Sequence, residues 1–338
     1  MKLDINLVQS IPYNGTSGSC FSNRSILSST FEPGSGSTIM AYAGICGAEN
    51  IQLSADATFH AGTIEQIDTF VGGAGSCSVP VVISPPNSDP TAVAGADQVI
   101  PVNTAFLLQG SGADADLPAD TLSYQWDQMD AGTATTCTSR IINFRLTVRD
   151  NKSGQATANV SLTIDGASGP FRITSFNTAQ TIFTTSPLIF NWDVANTNTG
   201  AVSCANVDVD LLTFSADHKT YAVTQLLSNV VNNGNQIVKL PDKSNSNARF
   251  RVSCNGNIFY DISDADLIIQ NSGAGGAGTF ATTGNTTFFN TNRQVFATSG
   301  TCDGSPKVIG IGIGEIDGRW ILFLLSLWVC SRLTRSHS

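Results

Sequence analysis

Between Thr91 and Gln270 the chain is written as short runs in which apolar and polar residues alternate, each run cut off by Gly, Pro, Asn or Asp. In NFRLTVRD, Phe144, Leu146 and Val148 fall on one side while Arg145, Thr147 and Arg149 fall on the other. A period of two places these residues on opposite faces of a strand, so one face is buried and the other is wet. QVIPV, TAFLLQG, LSYQW, INFRLTVRD and ANVSLTID follow one another up to Asp165, and FRITSF, LIFNWDV, VDVDLLTF, TYAVTQLL, NQIVKLP, ARFRVSC and FYDISDADLII fill Pro170 to Gln270. Such spacing predicts two all-β sandwiches, over 91–165 and 166–270.

The remaining segments divide the 338 residues further. VPVVISPPNSDP, residues 79–90, holds four prolines and reads as an extended linker between a first unit, 1–78, and the sandwiches. Residues 271–307, rich in Gly, Thr and Asn, read as a spacer. In 308–338, Trp320 to Cys330 form an apolar run that as a helix would reach about 17 Å, short of the roughly 30 Å hydrocarbon core. With glycines before it and Arg332 and Arg335 after it, the run fits a sorting or anchoring helix that touches the membrane better than a buried core helix.

Charge narrows the function. Asp plus Glu number 26 against 17 Lys plus Arg, a net charge of −9 with no basic stripe, which argues against a nucleic-acid partner because phosphate binding needs clustered cations. The eight cysteines contain no CxxC pair, so zinc-ribbon and thioredoxin-like readings lose their basis. Isolated disulfides in an oxidising compartment are expected instead, with Cys204 and Cys254 paired in the second sandwich, or else left as two buried thiols. MKLDINLVQS lacks the apolar core of a secretory signal, and an exported-looking body without one suggests that Met1 is not the natural beginning.

STIMAYAGIC, followed by FHAGTIEQI, resembles the Met-turn and closing helix of reprolysin-like (adamalysin-related) metzincin zinc proteases. The resemblance implies that Met40 is the floor residue beneath a catalytic zinc and that Tyr42 leans toward it. It further implies that Cys46 is disulfide-bonded, with Cys20 and Cys77 as the available partners. The family holds zinc on a HExxHxxGxxH helix, and that element is missing here: His60, His218 and His337 lie in three separate segments. No catalytic residue and no zinc ligand is therefore assigned, and no cofactor is expected on this chain, although zinc belongs to the full-length family. His60 is more simply a structural residue, and Glu65 has no metal-bound water from which to take a proton.

TAVAGADQVIPVNTAFLLQGSGADADLPADTLSYQWDQ resembles the start of a PKD-type, immunoglobulin-like domain, and the second sandwich resembles the modules that follow such proteases. Asp114, Asp116 and Asp120 offer hard oxygen ligands ahead of the tryptophan strand, a weak calcium candidate set against a solvated acidic turn. The tail resembles the GlyGly-CTERM class of sorting signals. The overall expectation is a mainly β chain: part of a metzincin subdomain, two immunoglobulin-like sandwiches and a short C-terminal apolar helix. Its expected function is that of the C-terminal portion of a secreted zinc metalloendopeptidase, inactive as it stands and displayed on a bacterial envelope, with a protein or surface polymer as the partner. The alternative is a stand-alone surface binding or adhesion protein.

Overall fold

The computed structural model describes residues 12–21, 29–73, 87–116, 120–130, 139–218 and 220–271, together with the backbone of 285–287, 293–297 and 309–310. The C-terminal apolar run, Cys77 and His337 lie outside the described residues. Among the described residues no helix is long and apolar enough to cross a membrane.

The first sandwich is built from β1 (Gln98–Pro101), β2 (Ala105–Gln109), β3 (Ser123–Gln128), β4 (Arg140–Arg149) and β5 (Gln155–Asp165). One sheet runs β1-β5-β4-β3, with β1 parallel to β5 and the other pairs antiparallel. Its backbone is the β4–β5 hairpin, in register from Arg140↔Ile164 to Arg149↔Gln155. Phe144, Leu146 and Val148 face the core beside Trp126, Leu162 and Phe106. Thr147, on the opposite face, is only 1% exposed. That face is covered because the helix α1 (Ala61–Gly72) lies on it, with Arg145 paired to Glu65 and the Ala61 N–H donating to Asp127.

The second sandwich contains β6 (Arg172–Ile173), β7 (Thr181–Phe183), β8 (Leu188–Asp193), β9 (Asn206–Phe214), β10 (Thr220–Val231), β11 (Asn235–Val238), β12 (Asn245–Cys254), β13 (Phe259–Ile262) and β14 (Leu267–Gln270). A three-stranded sheet, β11-β8-β6, belongs with a larger one in which β9 lies between β10 and β12. FYDISDADLII, read as one strand, is two: β13 and β14 pair with different halves of β12. The break falls at buried Ser263, whose Oγ accepts the Phe250 N–H while its own N–H donates to the Phe250 carbonyl. Trp192 is pinned in the core by its Nε1–H, which donates to Asn232 Oδ1 at 2.8 Å, and the Asn232 amide in turn donates to Thr197 Oγ1 and the Cys204 carbonyl. The Cys204–Cys254 disulfide ties the lead-in of β9 to the end of β12.

The sandwiches are joined through their sheets. β2 pairs with β13, Phe106 opposite Phe259 and Ala105 opposite Tyr260. Inside the stretch read as a spacer, the backbone forms two short strands, β15 (Asn285–Thr287) and β16 (Arg293–Ala297), and β17 (Ile309–Gly310) lies just after it; β15 adds to β10 and β16 to the other side of β2.

Two outcomes are expected. Replacing Cys204 and Cys254 together by alanine should lower unfolding free energy by about 2–4 kcal/mol in denaturant titration, since the bond closes a long loop. Asp261 accepts the Ile173 N–H at 2.6 Å. Burial first, then repulsion from Asp264, pushes its carboxyl up to about 7 against that hydrogen bond. A carboxyl raised on folding stabilises fully below its unfolded value of about 4, and the contribution is lost as pH rises toward the folded value. Asp261→Asn, which keeps an acceptor, should therefore raise Tm near pH 8 and leave it unchanged near pH 4.

Candidate functional site

The N-terminal unit is a small disulfide-bonded knot. Cys20 and Cys46 are bonded, and the Tyr13 ring lies 5.0 Å from that of Tyr42. The Ala41 N–H donates to the Thr38 carbonyl, closing a turn that carries Met40 half-buried. Two carboxylates of this unit, Glu32 and Glu49, are spent on local donors. Glu32, 5% exposed, accepts from the Ser37 and Thr38 N–H groups and the Thr38 hydroxyl. Glu49 accepts from the N–H groups of Thr16 and Ser17; burial raises its pKa, but the Ser17 and Thr16 donors outweigh it and the net shift is downward.

His60 is also spent. It is the N-cap of α1, its Nδ1 accepting the Gly62 N–H at 3.0 Å while Nε2 lies 3.1 Å from the Gln128 carbonyl. This pattern assigns the proton to Nε2. The ring stacks on Phe31 and is 3% exposed. Its partner Gln128 belongs to the first sandwich, so His60 holds the helix against the sheet. Glu65, in the same helix, pairs with Arg145 of β4. His218 sits in the second sandwich, 3.0 Å from Asp266, which also accepts from Arg249. Between α1 and the β4–β5 face lies an open groove of about 260 Å³, lined in part by Ile64, Glu65, Asp68, Arg145 and Thr147.

Among the described residues, one group of three metal-ligating side chains is drawn together: Asp114, Asp120 and Asp150, which offer one oxygen each within 4.8 Å of one another. They meet at one end of the first sandwich, where the loop before β3 comes up against the β4–β5 turn. Asp114 Oδ1 accepts the N–H of Asp116 at 2.8 Å and of Asp120 at 3.4 Å, which folds the loop around its own first carboxylate. Asp150, 1% exposed, accepts from the N–H groups of Lys152 and Gly154 and from Asn87 Nδ2. Gly154 is required there, because a Cβ would overlap Asp150 Oδ2. Burial raises the Asp150 pKa, but its donors, Asn87 first, outweigh it and hold the group below the usual carboxylate range. Lys152 Nζ lies 2.5 Å from Asp120 Oδ1, and this contact, with the charges of Asp116 and Asp114 behind it, raises the lysine pKa.

The three aspartates picked from the sequence thus part company. Asp114 and Asp120 join Asp150, while Asp116 turns away to accept the Ser88 N–H at 3.1 Å. Asp150 stands 30 residues beyond Asp120 and was read only as the end of a strand. The signal that could have found it is D-N-K-S-G, an aspartate that caps its own turn with glycine four residues on.

These layers define a tandem of immunoglobulin-like β-sandwiches behind a small disulfide-bonded unit, an assignment that rests on the sheets themselves. The chain is similar in fold to the N-terminal Ig1-2 module of the Drosophila receptor protein tyrosine phosphatase DLAR (10% identity, 54% of this chain and 100% of that one, TM-score 0.31). It is also similar to mouse cadherin-23 EC22-24 (14%, 55% and 67%, TM-score 0.20). A third likeness is to the Bacteroides ovatus mixed-linkage glucan utilization locus protein SGBP-B (11%, 55% and 48%, TM-score 0.17). No protein-family model and no curated protein matches the sequence.

His60→Ala should remove the cap and the bond to β3 at a cost of about 1–3 kcal/mol in thermal or denaturant unfolding. Zinc bound by the purified chain should be unchanged by the substitution; a loss of stoichiometric zinc would make His60 a ligand instead.

Proposed function

We propose that this chain is a non-catalytic binding protein of the cell exterior, in which the two sandwiches form one stiff body that presents loops and the N-terminal knot to a protein or surface polymer. The observation that carries the reading is the β2–β13 pairing, which removes a hinge between the sandwiches. A body without a hinge holds its binding loops at a fixed spacing, which suits display and adhesion. Two disulfides support an oxidising compartment such as a bacterial envelope. The division at 78/79, 90/91, 165/166, 270/271 and 307/308, and membrane attachment through the last segment, belong to the same proposal.

A second reading, descent from the C-terminal part of a reprolysin-like zinc protease, is favoured by one observation. The turn at Met40 and the helix that follows occur in the order that resemblance implies, while Tyr42 packs on Tyr13. In that reading the knot is a retained protease subdomain turned to binding, since His60, Glu32 and Glu49 are already bound to backbone.

Both readings expect the purified full chain to leave casein uncut, with or without added zinc, and to be retained in a saturable manner on envelope material or an extracellular polymer. Cleavage that a chelator abolishes would overturn the non-catalytic assignment. Absence of retention on every surface tried would overturn the binding assignment.

A further inference from the structure

We propose that Asp114, Asp120 and Asp150 form a calcium site at the end of the first sandwich, and that Lys152 is the internal cation that calcium displaces. The inference is independent of which partner the protein binds.

Three carboxylate oxygens lie within 4.8 Å of one another, so no pair exceeds the span that two ligands at the usual calcium–oxygen distance of about 2.4 Å can bridge. A magnesium ion, at about 2.0–2.1 Å, requires a tighter octahedron. Crowding alone would not make a site, since acidic turns are common on surfaces. The second observation is the state of the lone pairs. Asp114 Oδ2 and Asp120 Oδ2 are both buried, and among the described residues no donor reaches either. The Asp120 side chain is only 7% exposed, so its second oxygen is held away from bulk water beside two other carboxylates. Buried oxygens of this kind are costly unless a donor or a cation satisfies them.

Asp114 and Asp150 are positioned by bonds that leave Asp114 Oδ2 free. The N–H groups of Asp116 and Asp120 take Asp114 Oδ1, and those of Lys152 and Gly154, with Asn87, fix Asp150. This is the arrangement in which outer hydrogen bonds orient ligands toward a metal. Lys152 supplies one positive charge against Asp114, Asp116, Asp120 and Asp150, and its side chain is 60% exposed, so it can swing out. A divalent ion bridging Asp114, Asp120 and Asp150 would compensate the carboxylates better than a tethered ammonium. It would also fix Asn87 and Ser88, which already bind Asp150 and Asp116, and so hold the lead-in of the first sandwich to its far loops.

The test is calcium titration of the full chain by calorimetry, with Tm followed in parallel. One calcium is expected to bind, with a dissociation constant on the order of 10⁻⁴ to 10⁻³ M, as in other extracellular modules, and to raise Tm. Asp120→Asn, a near-isosteric change, should weaken binding roughly 10- to 100-fold. Lys152→Gln should tighten it several-fold, and because it removes no ligand it reports even if the aspartate variants fold poorly. No heat and no Tm shift at millimolar calcium in either the parent or Lys152→Gln would overturn the site. Binding that Asp120→Asn leaves unchanged would place the ion elsewhere and overturn it too, and an unchanged affinity in Lys152→Gln would overturn the displacement.

Discussion

The pairing of β2 with β13 is the contact on which the architecture turns. β2 is too short to complete a sheet in its own sandwich and gains its backbone partners from β13 on one side and β16 on the other. The Leu107 N–H donates to the Ile258 carbonyl, and Asn257 Nδ2 reaches the Val99 carbonyl, so the junction is closed on both flanks of the shared pair. Phe106 and Phe259 are both buried, and they pass the contact inward, Phe106 to Phe144 at 5.9 Å and Phe259 to Phe171 at 5.2 Å. Each buried phenylalanine is worth about 1.5–3 kcal/mol, so parting the sandwiches would expose several such side chains together. For that reason the buried apolar residues of the two sandwiches form one continuous cluster from Ala94 to Ile269.

The connection between the sandwiches is consistent with that weld. The Val102 N–H donates to the carbonyls of Ser168 and Asp165, and the Phe171 N–H donates to buried Thr104 Oγ1. A linker bonded at both ends to the turn between β1 and β2 cannot act as a swivel, which is the physical content of calling the two sandwiches one body.

Period two was legible wherever a strand has one buried face and no visitor on the other. It gave β5 and β12 close to their observed bounds. It failed at Thr147, because the side expected to face water is covered by α1, a contact made by residues about eighty positions away. It failed at Ser263, where continuity of apolar character hid a change of partner along β12. The parallel pairings β1–β5 and β7–β14 left no local mark, since parallel register is set by tertiary placement rather than by a turn. The Cys204–Cys254 bond was legible because no other cysteine shares that sandwich. At the acidic end, Asp114 and Asp120 could be picked by proximity in the chain, whereas Asp150 reaches them only because the ten-residue register of β4 and β5 delivers the turn to that end.

What separates an acidic residue that builds structure from one that is left for a ligand is the fate of its lone pairs. Glu32 and Glu49 are each met by several N–H groups, and such carboxylates act as capping devices for turns that have no helix or strand to satisfy them. Asp114 begins in the same way through Oδ1, yet among the described residues Oδ2 receives no donor, and Asp120 gives one oxygen to an exposed lysine while the other meets no described donor. His60 belongs with the first group: both nitrogens are engaged, so this histidine is withdrawn from metal chemistry by a helix cap and a carbonyl. Residue type alone would rank His60 above Asp120 as a metal ligand. Counting donors at each atom reverses the order, because a metal can bind only through electron pairs that the fold has not already used.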